Sequence, residues 1–276
     1  MRYDPSEFPP VAVTVDVVIF TIHKQTLLVL LIERGVPPFK GSWALPGGFI
    51  KPDEDLDAAA ARELAEETGL STDDWHLEQL ASYGSPGRDP RMRVVTVAYW
   101  AIMASLQPVR GGSDAVRAEL IPVSAIEAGA VQLAFDHDKI VRDAVEHVRQ
   151  RLEYAPLAAK FCPPEFTLSQ LREVYDTVWG TRLDPGNFQR SVKESSSFLK
   201  LRAKADRHLR GRPAALWSVA DGIDDSVRGA REWPSQFRRP PVTIAEPRHH
   251  LSGRGRNEKK GRALRRQDVE LPESED

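Results

Sequence analysis

The stretch Gly48-Phe-Ile-Lys-Pro-Asp-Glu-Asp-Leu-Asp-Ala-Ala-Ala-Ala-Arg-Glu-Leu-Ala-Glu-Glu-Thr-Gly-Leu70 decides the fold. At about 100° per residue, Glu63, Glu66 and Glu67 fall within one arc of a helix, because positions i, i+3 and i+4 share a face. Three carboxylates stacked in this way repel one another, and a divalent cation relieves the repulsion; all-oxygen donors suit Mg²⁺ or Mn²⁺. Ala59 and Ala60, further back on the same arc, are expected to leave room for a bulky ligand, with Leu56 and Leu64 packing at its edges. Gly69 is placed to end the helix as a C′ residue.

Composition allows one large or two ordinary domains. The 276 residues are 41% hydrophobic and 28% charged, enough to bury a sizeable core. Apolar runs such as Leu27 to Ile32 are far short of the ~18 residues that a membrane span needs. The start, with Asp4, Pro5 and Glu7, is unlike a signal peptide, so a cytoplasmic protein with no membrane partner is expected. A single cysteine, Cys162, excludes an internal disulfide and a multi-cysteine zinc site, and reads as a small buried hydrophobe. The net charge of −2 hides an asymmetry: residues 1–160 carry 16 Lys+Arg against 23 Asp+Glu, whereas residues 161–276 carry 22 against 17. An acidic part joined to a basic one suggests different partners for the two, with nucleic acid for the second.

Before the acidic helix, residues 11–22 and 26–34 are rich in β-branched side chains and flank the polar turn His23-Lys24-Gln25, which predicts a hairpin. Residues 35–47 hold too much Gly and Pro for regular structure beyond a short strand, yet carry Phe39 and Trp43. Such aromatics either stack on a nucleobase or fill the core. After the helix, strands are expected over 75–83, 93–103 and 118–123. Between the first two, Gly84-Ser-Pro-Gly-Arg-Asp-Pro-Arg91 should project Arg88 and Arg91 from a loop, where a guanidinium fork suits pyrophosphate or is merely solvated. Mixed strands around an amphipathic helix make an α+β class.

A second helix over 137–153 follows from Val141, Val145, Val148 and Leu152. Asp136-His137-Asp138 at its start reads as capping with macrodipole stabilisation rather than as a metal site. The Pro-containing stretch 154–164 is the expected domain boundary. Phe166-Thr-Leu-Ser-Gln170 is a capping box opening a helix that Gly180 ends, and Asp184-Pro185 opens another, to about Ser195. Two helices joined by a short turn, then short strands over 199–202 and 215–219 around a basic tip, read as a winged helix-turn-helix. From Asn187 to Arg212 there are eight Lys+Arg and two acids. Asn187, Gln189, Arg190 and Lys193 are suited to a recognition helix, with Arg210 and Arg212 at the wing. Beyond about residue 221 the chain becomes Pro-, Gly- and Arg-rich and is expected to be disordered, with a basic stretch over 248–266.

The acidic stretch resembles the Nudix box. Every fixed position of that pattern is met by Gly48, Glu54, Arg62, Glu63, Leu64, Glu66, Glu67, Gly69 and Leu70. Beyond the box, Phe39-Lys-Gly-Ser-Trp-Ala-Leu-Pro-Gly-Gly, Arg88-Asp-Pro-Arg, Leu133-Ala-Phe-Asp-His, Phe166-Thr-Leu, Asn187-Phe-Gln-Arg and Gly211-Arg-Pro-Ala are similar to the Nudix-related transcriptional regulators called NrtR. The resemblance implies a Nudix α/β/α sandwich over 1–155, a winged helix-turn-helix over 156–220 and a charged tail over 221–276. It also implies a homodimer that binds operator DNA of NAD metabolism genes and releases it when ADP-ribose or a related nucleotide binds. Glu54, Glu63, Glu66 and Glu67 would be the catalytic set, the last three holding Mg²⁺ or Mn²⁺. Gly48, Arg34, Phe39, Arg88 and Arg91 would contact the ligand. Many members of that family have a decayed box, whereas this one is complete. The alternative is therefore a Mg-dependent ADP-ribose pyrophosphatase with an accessory DNA-binding domain.

Overall fold

The computed structural model describes residues 8–68, 76–104, 115–154, 156–194, 199–204, 214–220 and 239. A seven-stranded mixed sheet forms the first part. Its strands are β1 (Ala12–His23), β2 (Thr26–Arg34), β3 (Trp43–Ala44), β4 (Gly47–Phe49), β5 (His76–Tyr83), β6 (Val94–Ile102) and β7 (Ala115–Pro122). The expected hairpin is β1–β2, whose register runs from Phe20↔Val29 to His23↔Thr26. Parallel to β1 lies β6, from Ala12↔Val94 to Phe20↔Ile102, and β4 pairs the other edge of β1 with Asp16 opposite Gly47. Both central strands are covered on two faces, which is why their sequences are almost continuously apolar.

The period of two sorts those faces. Val15, Val17 and Ile19 of β1, with Val97, Tyr99 and Ala101 of β6, pack against α1 (Leu56–Thr68) through Ala59, Ala60 and Leu64. Val18 and Phe20, with Ala98, Trp100 and Ile102, face the other way, towards α3 (His137–Tyr154). Ala59 and Ala60 are fully buried in the sheet-facing layer, so they let α1 lie close on the sheet rather than make room for a ligand. Gly69 and Leu70 lie outside the described residues. A short helix that the sequence did not announce, α2 (Val123–Glu127), follows β7 directly.

Helix α3 runs one residue past its expected end and is followed by a 3₁₀ turn, Pro156–Phe161. No break in the core marks residue 155. Val145, Val148 and Leu152 of α3 share one apolar cluster with Leu157, Phe161 and Cys162 and with Leu171, Val174 and Val178 beyond them. Burial pushes the Cys162 thiol up to about 12, in keeping with a packing role. Arg149 Nε donates to Val178 O at 3.1 Å, and Trp179 Nε1 donates to Arg149 O at 3.0 Å.

The second part holds α4 (Leu168–Trp179), α5 (Pro185–Glu194) and a three-stranded sheet. The capping box is present: Gln170 N donates to Thr167 Oγ1, and Thr167 N donates to Gln170 Oε1. Gly180 closes α4 at φ +65°, where a side chain would be strained. Asp184 Oδ1 accepts from Asn187 N at 2.8 Å and so caps α5. Phe166–Thr167, expected only as a lead-in to the cap, forms the short strand β8, which pairs with β10 (Ala215–Val219) beside β9 (Leu199–Lys204). Arg210, Arg212 and nearly all of 221–276, including 248–266, lie outside the described residues.

Candidate functional site

One cleft of about 270 Å³ opens at the carboxylate face of α1. Its walls come from β1 (Thr14, Asp16), the end of β2 (Arg34), β4 (Gly47, Gly48, Phe49), α1 (Glu63, Glu66, Glu67), the β5–β6 loop (Arg88, Asp89, Arg91) and the start of α3 (Phe135, His137). Seven of the residues singled out in the sequence meet there. Phe39 joins from outside the lining: its ring packs edge-on against Phe135, centroids 4.9 Å apart.

Arg62 organises the acidic wall. Its Nε and Nη2 donate to Glu54 at 2.8 and 2.5 Å, and Nη1 donates to Glu63 at 2.7 Å and to Glu66 at 3.2 Å. The bonds from Arg62 hold the Glu54 carboxyl at about 2, well below its ordinary range. Glu63 goes the other way, because burial raises its pKa further than Arg62 lowers it. Its carboxylate presses on Gly48, where a Cβ would stand 2.3 Å from Oε1, so a side chain at position 48 would have to push that carboxylate aside. Glu67 Oε2 accepts from Gly47 N at 2.9 Å.

Glu63, Glu66 and Glu67 offer the hard oxygens that Mg²⁺ or Mn²⁺ takes. As placed, two of them share Arg62, and among the described residues no three acidic or imidazole groups converge on one cation position. The donor set fits a divalent ion in kind, while Arg62 supplies the counter-charge in this arrangement.

The opposite wall departs from the sequence reading in two ways. Arg88 does not project from its loop: the side chain is 4% exposed and turned inward. Its Nη2 donates to Asp136 Oδ1 at 2.6 Å, Nε donates to the same carboxylate at 3.1–3.2 Å, and Asp16 Oδ2 lies 3.4 Å away. Nor is the Asp136-His137-Asp138 run a side-chain cap, since Asp136 is spent on Arg88 and Asp138 pairs with Arg142 one turn along. Glycines and prolines in residues 84–91 signalled an irregular backbone correctly, but irregular backbone does not imply exposed side chains when buried acids wait behind it.

His137 completes this wall. Its Nδ1 accepts from Leu45 N at 2.9 Å, which leaves the proton on Nε2, 3.5 Å from Asp16 Oδ1. Burial lowers its pKa and keeps the ring neutral. Arg91 grips Asp89 through Nε and Nη2 at 2.6–3.2 Å and lies over the Phe49 ring. Burial raises the Asp89 carboxyl, but the Arg91 bonds outweigh it and leave the group below its ordinary range. Arg34 Nε donates to Pro38 O at 2.8 Å, with its guanidinium 4.8 Å from the centre of Phe135.

Asp16, Phe135, Asp136 and His137 escaped the sequence reading of the cleft, as did the role of Arg62 as its hub. A signal existed for Asp16, the one charge inside the apolar run 11–22: a buried carboxylate requires a cation or donors nearby. Strand alternation puts it on the side of Val18 and Phe20, where α3 begins.

The second surface is built differently. On α5, Phe188 and Val192 are buried, while Asn187, Gln189, Arg190 and Lys193 are exposed. Gln189 and Lys193 also line a groove with Thr167, Ser169 and Trp217, between α5, the start of α4 and the wing sheet.

A carboxylate-lined Nudix-type cleft thus shares one core with a winged helix. Comparisons agree with both halves. The chain matches the NUDIX domain model over residues 10–144 and the model for the NrtR DNA-binding winged helix domain over residues 158–219. It is 32% identical, across 90% of its length and 93% of the relative's, to the ADPR responsive transcriptional repressor NtrR of Acinetobacter baylyi. The crystal structure of Shewanella oneidensis NrtR complexed with a 27mer DNA superposes with a TM-score of 0.63 at 34% identity, covering 75% of this chain and 93% of that one. An ADP-ribose pyrophosphatase of Methanocaldococcus jannaschii is 39% identical over 132 residues, 48% of this chain and 72% of its own. The chain belongs to the NrtR family of Nudix-related transcriptional regulators.

Proposed function

We propose that the protein is an ADP-ribose-responsive transcriptional repressor. Its winged helix binds operator DNA of NAD metabolism genes, and its Nudix cleft takes ADP-ribose or a related nucleotide whose binding weakens the hold on DNA. The observation that carries this reading is the reach of the likeness to the Acinetobacter baylyi repressor, which spans cleft and winged helix together. Site chemistry supports it. Arg88 and Arg91 suit a pyrophosphate, Arg34 stands behind them, and the Phe39–Phe135 pair offers an aromatic surface to a base. Gly48 keeps the floor low beside Glu63.

On the DNA side, Asn187, Gln189 and Arg190 have the donors and acceptors that read base edges, and Lys193, Arg210 and Arg212 neutralise phosphate. Reading a two-fold operator asks for a homodimer. No described helix is long and apolar enough to cross a membrane. Action on the chromosome, as proposed, calls for a cytoplasmic protein. DNA-binding anisotropy on an operator duplex, with and without saturating ADP-ribose, tests the reading. Affinity should fall about tenfold, a coupling of ~1.4 kcal/mol; unchanged affinity would overturn it.

A second reading, Mg-dependent hydrolysis of ADP-ribose, is favoured by the complete set Glu54, Glu63, Glu66 and Glu67 and by the likeness to the archaeal pyrophosphatase. Glu63, Glu66 and Glu67 would hold Mg²⁺ or Mn²⁺, which when bound polarises a phosphate oxygen. Glu54 fixes Arg62 and through it the orientation of Glu63 and Glu66. Release of AMP from ADP-ribose, abolished in Glu66→Gln and Glu67→Gln with the fold retained, is the expected result. Undiminished turnover in both would remove this helix face from the chemistry.

A further inference from the structure

The three arginines that line the cleft opposite the acidic helix, Arg34, Arg88 and Arg91, make contacts at very different reaches along the chain. Arg34 donates to Pro38 O, four residues on, and Arg91 holds Asp89, two residues back. Arg88 reaches 48 residues ahead, to Asp136 at the start of α3. We propose that Arg88 is handed between Asp136 and the pyrophosphate of the bound nucleotide, and that this exchange couples the cleft to the winged helix. The inference rests on the reading of the cleft as a nucleotide site and adds the residues through which that site is heard.

A guanidinium meets a carboxylate and a pyrophosphate through the same planar N–H edges. The Nε–Nη2 edge of Arg88 is fully occupied by Asp136, so a phosphate that takes this edge must displace the acid. Asp16, 3.4 Å from Nη2 and anchored in the middle of the sheet, gives Arg88 a second partner during the turn. Asp136 lies outside the sheet, its backbone carbonyl accepting from Lys139 N and Ile140 N at the start of α3 and the neighbouring His137 accepting from Leu45 N. Released, the Asp136 carboxylate faces both Asp16 and the incoming phosphates, and like charges at these distances repel. Between β1, fixed on both edges, and the first turn of α3, the latter is the part able to give way.

The residue before Asp136 is already under strain. Phe135 sits at φ +57°, a left-handed conformation that is costly for a bulky residue. Ring contacts hold it there: Phe39 edge-on at 4.9 Å, His137 at 5.2 Å and the Arg34 guanidinium at 4.8 Å. A nucleobase that rearranges these rings would relax the same junction. Movement at that end does not stay local, because α3 is one unbroken helix. Arg149, about 20 Å further along at 1.5 Å per residue, is tied to α4 by its bonds with Val178 and Trp179. A tilt of α3 thus carries α4, and with it α5 and the wing sheet.

The test measures operator affinity with and without saturating ADP-ribose, and ADP-ribose affinity by calorimetry, in the parent and three variants. Asp136→Asn removes the competitor, so ADP-ribose should bind more tightly while the parental tenfold loss of operator affinity shrinks to about twofold or less. Arg88→Gln removes the exchanged group, so ADP-ribose should bind more weakly, and the loss shrinks as well. Asp138→Asn deletes the same charge from the same helix start without touching Arg88, and should keep the parental loss. Opposite effects on ligand affinity with the same collapse of coupling are not expected of a merely structural ion pair. If the parent shows antagonism and both Asp136→Asn and Arg88→Gln keep it in full, the exchange is wrong and the sensor reading stands. Should the parent itself show no antagonism, the sensor reading falls, and the exchange with it.

Discussion

The cleft and the outer face of α5 are both rich in charge, and they handle it in opposite ways. In the cleft, cations and anions are matched internally: Arg62 with Glu54, Glu63 and Glu66, Arg88 with Asp16 and Asp136, Arg91 with Asp89. On α5, Arg190 and Lys193 stand exposed, and Arg190 donates a long 3.4 Å bond to Asn187 Oδ1. On the proposed reading, ligand binding in the cleft is substitution, in which a phosphate or cation replaces a partner already present. On the same reading, DNA binding on α5 is addition, with hydration and counterions as the main things displaced. Substitution can change the protein's shape, whereas addition chiefly changes where it resides.

The hardest blow to this contrast comes from Arg62→Ala. It leaves three carboxylates facing one another without their shared counter-charge, and stability should drop, read as a lower urea midpoint. Added Mg²⁺ should restore more of the midpoint in the variant than in the parent, because a cation then takes the role of the guanidinium. If the variant is as stable as the parent, the hub is decorative and the contrast is broken. Arg190→Ala should cost about 1–3 kcal/mol of operator affinity and alter the preferred base at one position, with stability unchanged. A smaller effect is expected from Gly48→Ala, whose methyl must displace the Glu63 carboxylate: stability falls by about 1–2 kcal/mol as for other overpacked sites, and ADP-ribose affinity falls with it. Lys193→Ala should weaken all DNA sequences alike and reduce the salt slope by about one.

The smallest effect concerns acid stability. The folded pKa of Glu54 lies at about 2, below the ordinary glutamate value of 4.5, so between these values the unfolded chain binds the extra proton. Its contribution is present above about pH 4.5 and is lost as the pH falls towards 2, which Glu54→Gln should abolish, flattening that part of the stability profile. Glu63 has the opposite sign. Its raised pKa favours the folded state at low pH, and that contribution disappears as the pH rises through the folded value. Urea titrations from pH 2.5 to 6 on Glu54→Gln and Glu63→Gln should therefore diverge from the parent in opposite directions.

Local regularities in the chain carried the fold far. Runs of β-branched and apolar residues marked β1, β2 and β6, the capping box and Gly180 bounded α4, and Asp184-Pro185 opened α5. Relations across the chain were harder to see. β8 is two residues long and exists because β10 arrives beside it, and α2 is a five-residue continuation of β7 without a capping side chain. In the site, the residues fixed by helical spacing were evident, as was the loop bearing Arg88 and Arg91. Hidden were the pairings that turn Arg88 inward and spend Asp136 on it, since they join residues 48 and 72 positions apart. A short acidic run before a helix looks like a cap until its long-range partner is known.

The unbroken apolar layer from α3 through the 3₁₀ turn to α4 bears on modular engineering. A sensor half detached at residue 155 would present Val148 and Leu152 to water, and a winged helix detached there would present Leu157, Phe161 and Leu171. Grafting a new DNA-reading module onto this sensor thus requires carrying residues 156–162 along as a matched gasket. Chimaeras that keep the gasket with its original α4 surface should express as folded protein, and those that split it should aggregate.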